Sequence, residues 1–255
     1  MKKVVATIFC ALMLCGLLLI TVGATMATET DYERTSYPTQ VTPTIDGQWT
    51  SPDEWTDGAE TWIGTDIVFR STWDGDMTRW LVEFLTDTTN NPGDYLQFCI
   101  DPQQWGGSEP ELGHHFMLQI TGHTELTRYT VNNGEWYYWE GSTLAVEWAA
   151  SLSTSPTSST PHWIYELQID RASATLSWGD PWNFLLGVFD ASNPGDGLQS
   201  WPPTDPDVPD EYGIENYSVE LIPEGLTFAV MALLTTFSML VGYKYFVKRK
   251  ETKTQ

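Results

Sequence analysis

Apolar and polar positions alternate with a period of two over much of the chain. Trp163, Tyr165, Leu167 and Ile169 are interleaved with Glu166, Gln168 and Asp170. Leu96, Phe98 and Ile100 are interleaved with Gln97, Cys99 and Asp101. This is the spacing of strands that bury one face. Further strand-like runs lie at 66–72, 79–86, 115–121, 125–131, 135–140, 144–149, 182–190 and 214–221. Turn formers separate them: Asp74-Gly75, Asn91-Pro92-Gly93-Asp94, Asn133-Gly134 and Asn193-Pro194-Gly195-Asp196. Only the two ends hold a sustained helical period, and residues 170–176 predict a single helical turn. About ten short strands with regular turns predict an all-β fold, a two-sheet antiparallel β-sandwich. The Ser/Thr/Pro-rich stretch 151–161 reads as an exposed loop. The Pro- and Asp-rich stretch 201–210 is excluded from a central strand.

The two ends have a different pattern. Lys2 and Lys3, an apolar run to Val22 and small residues to Ala27 have the order of a secretory signal peptide, residues 1–27. Residues 225–247 contain no acidic side chain and, among basic ones, only Lys244. That length predicts a single transmembrane helix. Lys248, Arg249, Lys250 and Lys253 follow, which places the tail 248–255 in the cytoplasm and residues 43–221 outside the cell membrane. Residues 28–42 read as a polar lead-in. Pro223-Glu224-Gly225, the apolar span and Lys248-Arg249-Lys250 together resemble the tripartite sorting signals of archaeal surface proteins, with Gly225 where that motif has Phe.

Charge narrows the function classes. The chain carries 34 acidic and 12 basic residues. The outside part, residues 28–222, has five arginines and no lysine against 32 acidic residues, a net charge near −27. Such a surface repels nucleic acid and anionic lipid and favours cations or neutral ligands. One cysteine, Cys99, lies outside the first 15 residues, so no intramolecular disulfide framework is available. The sequence has no Gly-x-Ser-x-Gly, His-Glu-x-x-His or phosphate-binding loop, and the protein is read as a non-enzyme.

Pro43-Thr44-Ile45-Asp46-Gly47-Gln48-Trp49 followed by Glu54-Trp55 resembles the opening of family 9 carbohydrate-binding modules and of the wider DOMON-like superfamily. The likeness continues through Trp73-Asp74, the run 80–85, Asp87, the run from Asp94 to Asp101, Trp163-x-x-Glu166, the run 184–190, Trp201-Pro202 and Gly213-Ile214. The resemblance implies a β-sandwich that binds polysaccharide or surface glycan, often with structural calcium.

Sugars present C–H faces that pack on indole rings. Trp105, in a Gly-flanked loop, and Trp201, near the end of the domain, are the first candidates for a facing pair, with Trp136, Tyr138 and Trp139 as others. For calcium, which wants several oxygens, the candidates are Asp74, Asp76, Asp87, Asp94 and Asp101. His114 and His115 point to opposite faces of a strand and so do not share one ion. Some DOMON-like relatives bind haem through Met with His or Lys. The candidates here would be Met77 and Met117, and the lack of Cys-x-x-Cys-His excludes covalent haem attachment. The sequence reading is a membrane-anchored, non-catalytic carbohydrate-binding protein. The alternatives are a structural or interaction protein of the cell envelope, and a haem-binding electron-transfer domain.

Overall fold

A computed structural model of the chain describes residues 32–142, 144–175 and 180–218. The expected signal peptide, transmembrane helix and basic tail lie outside the described residues. Among the described residues no helix is long and apolar enough to cross a membrane.

The described residues form an all-β domain. Its strands are β1 (Glu33–Pro38), β2 (Ala59–Ile63), β3 (Ile67–Trp73), β4 (Met77–Phe84), β5 (Tyr95–Asp101), β6 (Phe116–Thr121) and β7 (Glu125–Asn132). They continue with β8 (Glu135–Tyr138), β9 (Val146–Ser153), β10 (His162–Asp170), β11 (Trp182–Phe189), β12 (Gln199–Trp201) and β13 (Gly213–Tyr217). One sheet runs β8-β7-β6-β5-β11-β13-β1 and the other β1-β3-β4-β10-β9. β12 shares one edge of β11 with β13, and β2 pairs with β3.

β1 joins the two sheets. Glu33 to Ser36 pair in parallel with β13, and Tyr37 and Pro38 pair in parallel with β3. Two features therefore differ from the sequence reading. Not every pairing is antiparallel, and the strand lies inside the expected polar lead-in. The inward residues of β1 are Arg34 and Ser36, both buried, so no apolar period marks it. The Arg34 guanidinium donates to Ser71 Oγ at 3.0 Å, pairs with Glu215 at 3.8 Å and lies 4.3 Å from the Phe69 ring centroid. Glu215 in turn accepts from the Trp80 indole at 3.2 Å. A buried charge is tolerated only when paired in this way.

The core lies between the sheets. Trp80 of β4 stacks on Trp182 of β11 at 5.1 Å, and Phe98 of β5 stacks on Phe184 at 5.1 Å. Phe69 of β3 meets Phe184 edge-on at 6.2 Å. Such pairs add about 0.5–1.5 kcal/mol each beyond the area they bury.

The opening motif, residues 43–55, meets Glu166 on the outer face of the β3-β4-β10 sheet. Glu166 of β10 accepts hydrogen bonds from Asp46 N and Gly47 N, both at 2.8 Å, and from the Trp55 indole at 3.0 Å. Glu54 accepts from Thr44 N at 2.8 Å and Thr50 N at 2.7 Å. Gly47 has φ +78°, and a Cβ there would stand 2.8 Å from the backbone of Ala150 and Ser151. The opening motif is thus a buttress that pins the first loop to β9 and β10.

Candidate functional site

The loop after β5 presents the most exposed tryptophan ring that is also rigidly held. Gln104 takes φ +56°, and Gly106 and Gly107 take +63° and +121°. This path turns the chain back on itself. Asp101 closes the turn: one carboxylate oxygen accepts from Trp105 N at 3.0 Å and the other from Gly106 N at 2.8 Å. Asp210 holds the far side, accepting from Gly107 N at 2.7 Å, while its own N donates to Gly107 O at 3.0 Å. The Trp105 side chain is 57% exposed. Its ring lies parallel to the His114 imidazole, 4.4 Å centroid to centroid, and its Nε1 donates to Gln103 Oε1 at 3.1 Å. Two exposed amides flank it. Gln103 donates to Thr175 Oγ1 at 3.0 Å and Gln104 to Asn183 Oδ1 at 2.9 Å.

Two neighbouring segments touch this loop. At the β7–β8 turn, a Cβ on Gly134 would come within 2.9 Å of Glu109 Oε2. From the segment 202–212, Asp210 holds Gly107 of the loop, while Asp207 accepts from the Trp136 indole of β8 at 2.9 Å.

Of the four candidate tryptophans, Trp105 alone is exposed. Trp201 is 8% exposed and packs between Phe69 and Phe184 in the core, so it has no open face and does not oppose Trp105. Trp136 is half-buried against Cys99, Met117, Leu185 and Tyr212. Trp139 is half-buried beyond the end of β8. Tyr137 and Tyr138 of β8 are exposed.

The strand register also aligns a row of groups that no single stretch of sequence brings together. Leu185, Cys99, Met117, Tyr129 and Tyr138 lie side by side across β11, β5, β6, β7 and β8. The next row is Gly187, Gln97, Gln119 and Thr127. Both face outward, with the Tyr129 hydroxyl 3.3 Å from Gln119 Oε1. The alternation of each strand is visible in the sequence, but the alignment of one strand against the next is not. Met117, a haem candidate, is buried in the cluster that Tyr212 covers, and Met77 is half-buried at the start of β4.

The five candidate calcium aspartates do not gather at one place. Asp74 pairs with Arg79 at 2.7 Å and caps Met77 N at 3.1 Å. Asp76 is exposed. Asp101 builds the Trp105 loop. Asp87 and Asp94 do meet, and their third neighbour is His123: one ligand atom from each lies within 4.8 Å of the others. His123 sits in the Gly122-His123 turn between β6 and β7 at φ +61°, a backbone conformation that masks it as a loop residue in the sequence. Burial lowers its pKa, against the hydrogen bond to Asp94 that raises it. Burial also raises that of Asp87, with Asp94 adding to the rise.

No family model matches the chain, and no curated protein matches it. Among solved structures, the chain is similar to a family 9 carbohydrate-binding module from Caldicellulosiruptor kristjanssonii in complex with glucose. That match has 13% identity and a TM-score of 0.46, and covers 73% of this chain and 97% of that one. It is also similar to a family 9 module of the same organism in complex with cellotriose, at 15% identity and a TM-score of 0.43, covering 74% and 96% of the two chains.

Proposed function

We propose that the protein binds neutral polysaccharide without catalysis, at a platform centred on Trp105. The observation that carries this reading is one exposed indole fixed on three sides. Asp101 and Asp210 set its backbone, and His114 backs one ring face. A flat aromatic already held in place loses little conformational entropy on binding, so a pyranose ring can stack on it at low cost. Gln103 and Gln104 stand beside it as donors and acceptors for hydroxyls. Tyr138 and the outward row of Gln119 and Thr127 extend the contact area along the sheet. The charge of the domain selects against anionic glycans. Calcium remains an expectation from the family resemblance. The membrane anchor likewise rests on the sequence pattern of residues 225–255. If present, it would let many copies engage one polymer and multiply a weak individual affinity.

The test is affinity for neutral oligosaccharides by glycan array, followed by calorimetry, on wild type and Trp105→Ala. Stacking on one ring is worth about 0.5–1.5 kcal/mol, so the substitution should weaken binding roughly 2–13-fold. Trp201→Phe should leave affinity unchanged. Equal binding by wild type and Trp105→Ala would refute the platform. Absence of binding to all neutral glycans by folded protein would turn the reading to an envelope-interaction protein.

A further inference from the structure

The cluster of Asp87, Asp94 and His123 has features that a solvated acidic turn lacks. Asp87 follows β4, Asp94 precedes β5 and His123 joins β6 to β7. All three side chains are buried, Asp87 at 2% exposure. Asp87 Oδ1 accepts from Thr89 N at 2.9 Å and Thr89 Oγ1 at 3.0 Å, but Asp87 Oδ2 is buried with no donor. Asp94 Oδ1 accepts from Ala191 N at 2.8 Å, and Oδ2 accepts from Asn91 N at 3.2 Å and faces His123 Nε2 at 3.1 Å. The other ring nitrogen, Nδ1, is 2.6 Å from the Tyr165 hydroxyl, and the imidazole stacks on Trp163 at 3.6 Å.

The charges do not balance with protein groups. Asp87 and Asp94 are buried close together, and Asp190, next to the Ala191 whose N–H binds Asp94, is buried as well. Among the described residues no arginine pairs with any of the three, and the described domain has no lysine. Buried carboxylates in this state need a cation or a proton.

The hydrogen-bond pattern also suits a cation. The ring contacts fit two tautomers: Nε2–H donating to Asp94 with the Tyr165 O–H donating to Nδ1, or Nδ1–H donating to the Tyr165 oxygen, which frees the Nε2 lone pair to ligate a cation held by the carboxylates. A metal-ligating histidine usually has its other nitrogen oriented by such a partner. Calcium takes oxygen ligands, so the imidazole does not fit it. Two carboxylates and one imidazole suit a divalent transition metal.

We propose that Asp87, Asp94 and His123 hold one divalent transition-metal ion of the zinc class. The ion ties the β4–β5 and β6–β7 connections, which arise from different sheets, to each other beneath β10. Tyr165 is its positioning residue. The site is separate from the Trp105 platform, because Asp94 and Asp101 lie at opposite ends of β5, and the role is structural.

The experiment uses the full chain, purified, stripped with chelator and returned to Zn2+, Co2+ or Ca2+. Expected are one zinc per chain by mass spectrometry of the metal, visible d–d absorption with Co2+, and a Tm rise of roughly 5–10 °C at a hundredfold excess over Kd. Asp87→Asn and His123→Gln should abolish the Co2+ spectrum. Tyr165→Phe, which keeps the ring in the core, should weaken zinc affinity roughly 10–100-fold, while Asp74→Asn should leave it unchanged. Three results would overturn the proposal: no metal retained and no Tm response in wild type; a Ca2+ response equal to that of Zn2+ and intact in His123→Gln; or zinc binding that survives Asp87→Asn.

Discussion

Glu166 sets two physical effects against each other, and pH can tell which wins. Burial pushes its pKa from the ordinary 4.5 up to about 7, against the N–H groups of Asp46, Gly47 and Trp55, which favour the ionised form. If burial wins, the folded chain keeps a proton between about pH 4.5 and 7 that the unfolded chain has lost. Stability then falls as pH rises through that window. Each pKa unit is worth about 1.4 kcal/mol, so the loss comes to about 3 kcal/mol. Glu166→Gln mimics the protonated side chain and removes the titration. Denaturant unfolding of both proteins, followed by tryptophan fluorescence from about pH 4 to 9, gives the difference in stability at each pH, in which other titrating groups cancel. Wild type minus variant should drop by about 3 kcal/mol on going from acid to alkaline pH. A flat or rising difference would refute the reasoning and show that three N–H donors outweigh burial.

Gly47→Ala forces a Cβ into the backbone of Ala150 and Ser151 at a left-handed φ. It should cost about 2–3 kcal/mol, read as a Tm fall of roughly 5–10 °C. Glu83→Gln breaks a buried set in which Glu83 meets Arg70, His162 at 3.2 Å and Thr157 at 3.0 Å, and should cost about 3–5 kcal/mol in denaturant melts. Burial lowers the pKa of His162, but the bond to Glu83, the Thr160 carbonyl and the charge of Glu83 together outweigh it and leave the net shift upward. The stabilisation from that proton is therefore present below the ordinary value of 6.5 and lost as pH rises through the raised one. NMR titration of His162 should move toward acid in the variant. Cys99 is fully buried and its thiol is pushed up to about 12 by burial, so iodoacetamide should leave it unmodified in folded protein and label it in denaturant, as mapped by peptide mass spectrometry.

The sequence determined the fold class, because a period of two is imposed by strand geometry and needs no partner to be read. It placed β5 and β10 within a residue or two at each end, and the turns at Asp74-Gly75 and Asn133-Gly134 fall between strands as their composition requires. It also placed Trp105 in an exposed loop, since an indole among glycines is legible locally. Long-range pairing was not. β1 looked like a tail because its buried residues are Arg34 and Ser36, and the partners of Arg34, Ser71 and Glu215, lie 37 and 181 positions away in a chain that only folding brings back. Trp201 looked like a loop aromatic until β12 paired with β11 and turned it into the core. His123 and Asp87 are 36 positions apart and share no motif. Their meeting follows from register and from the packing of one sheet on the other, which no single stretch of sequence encodes.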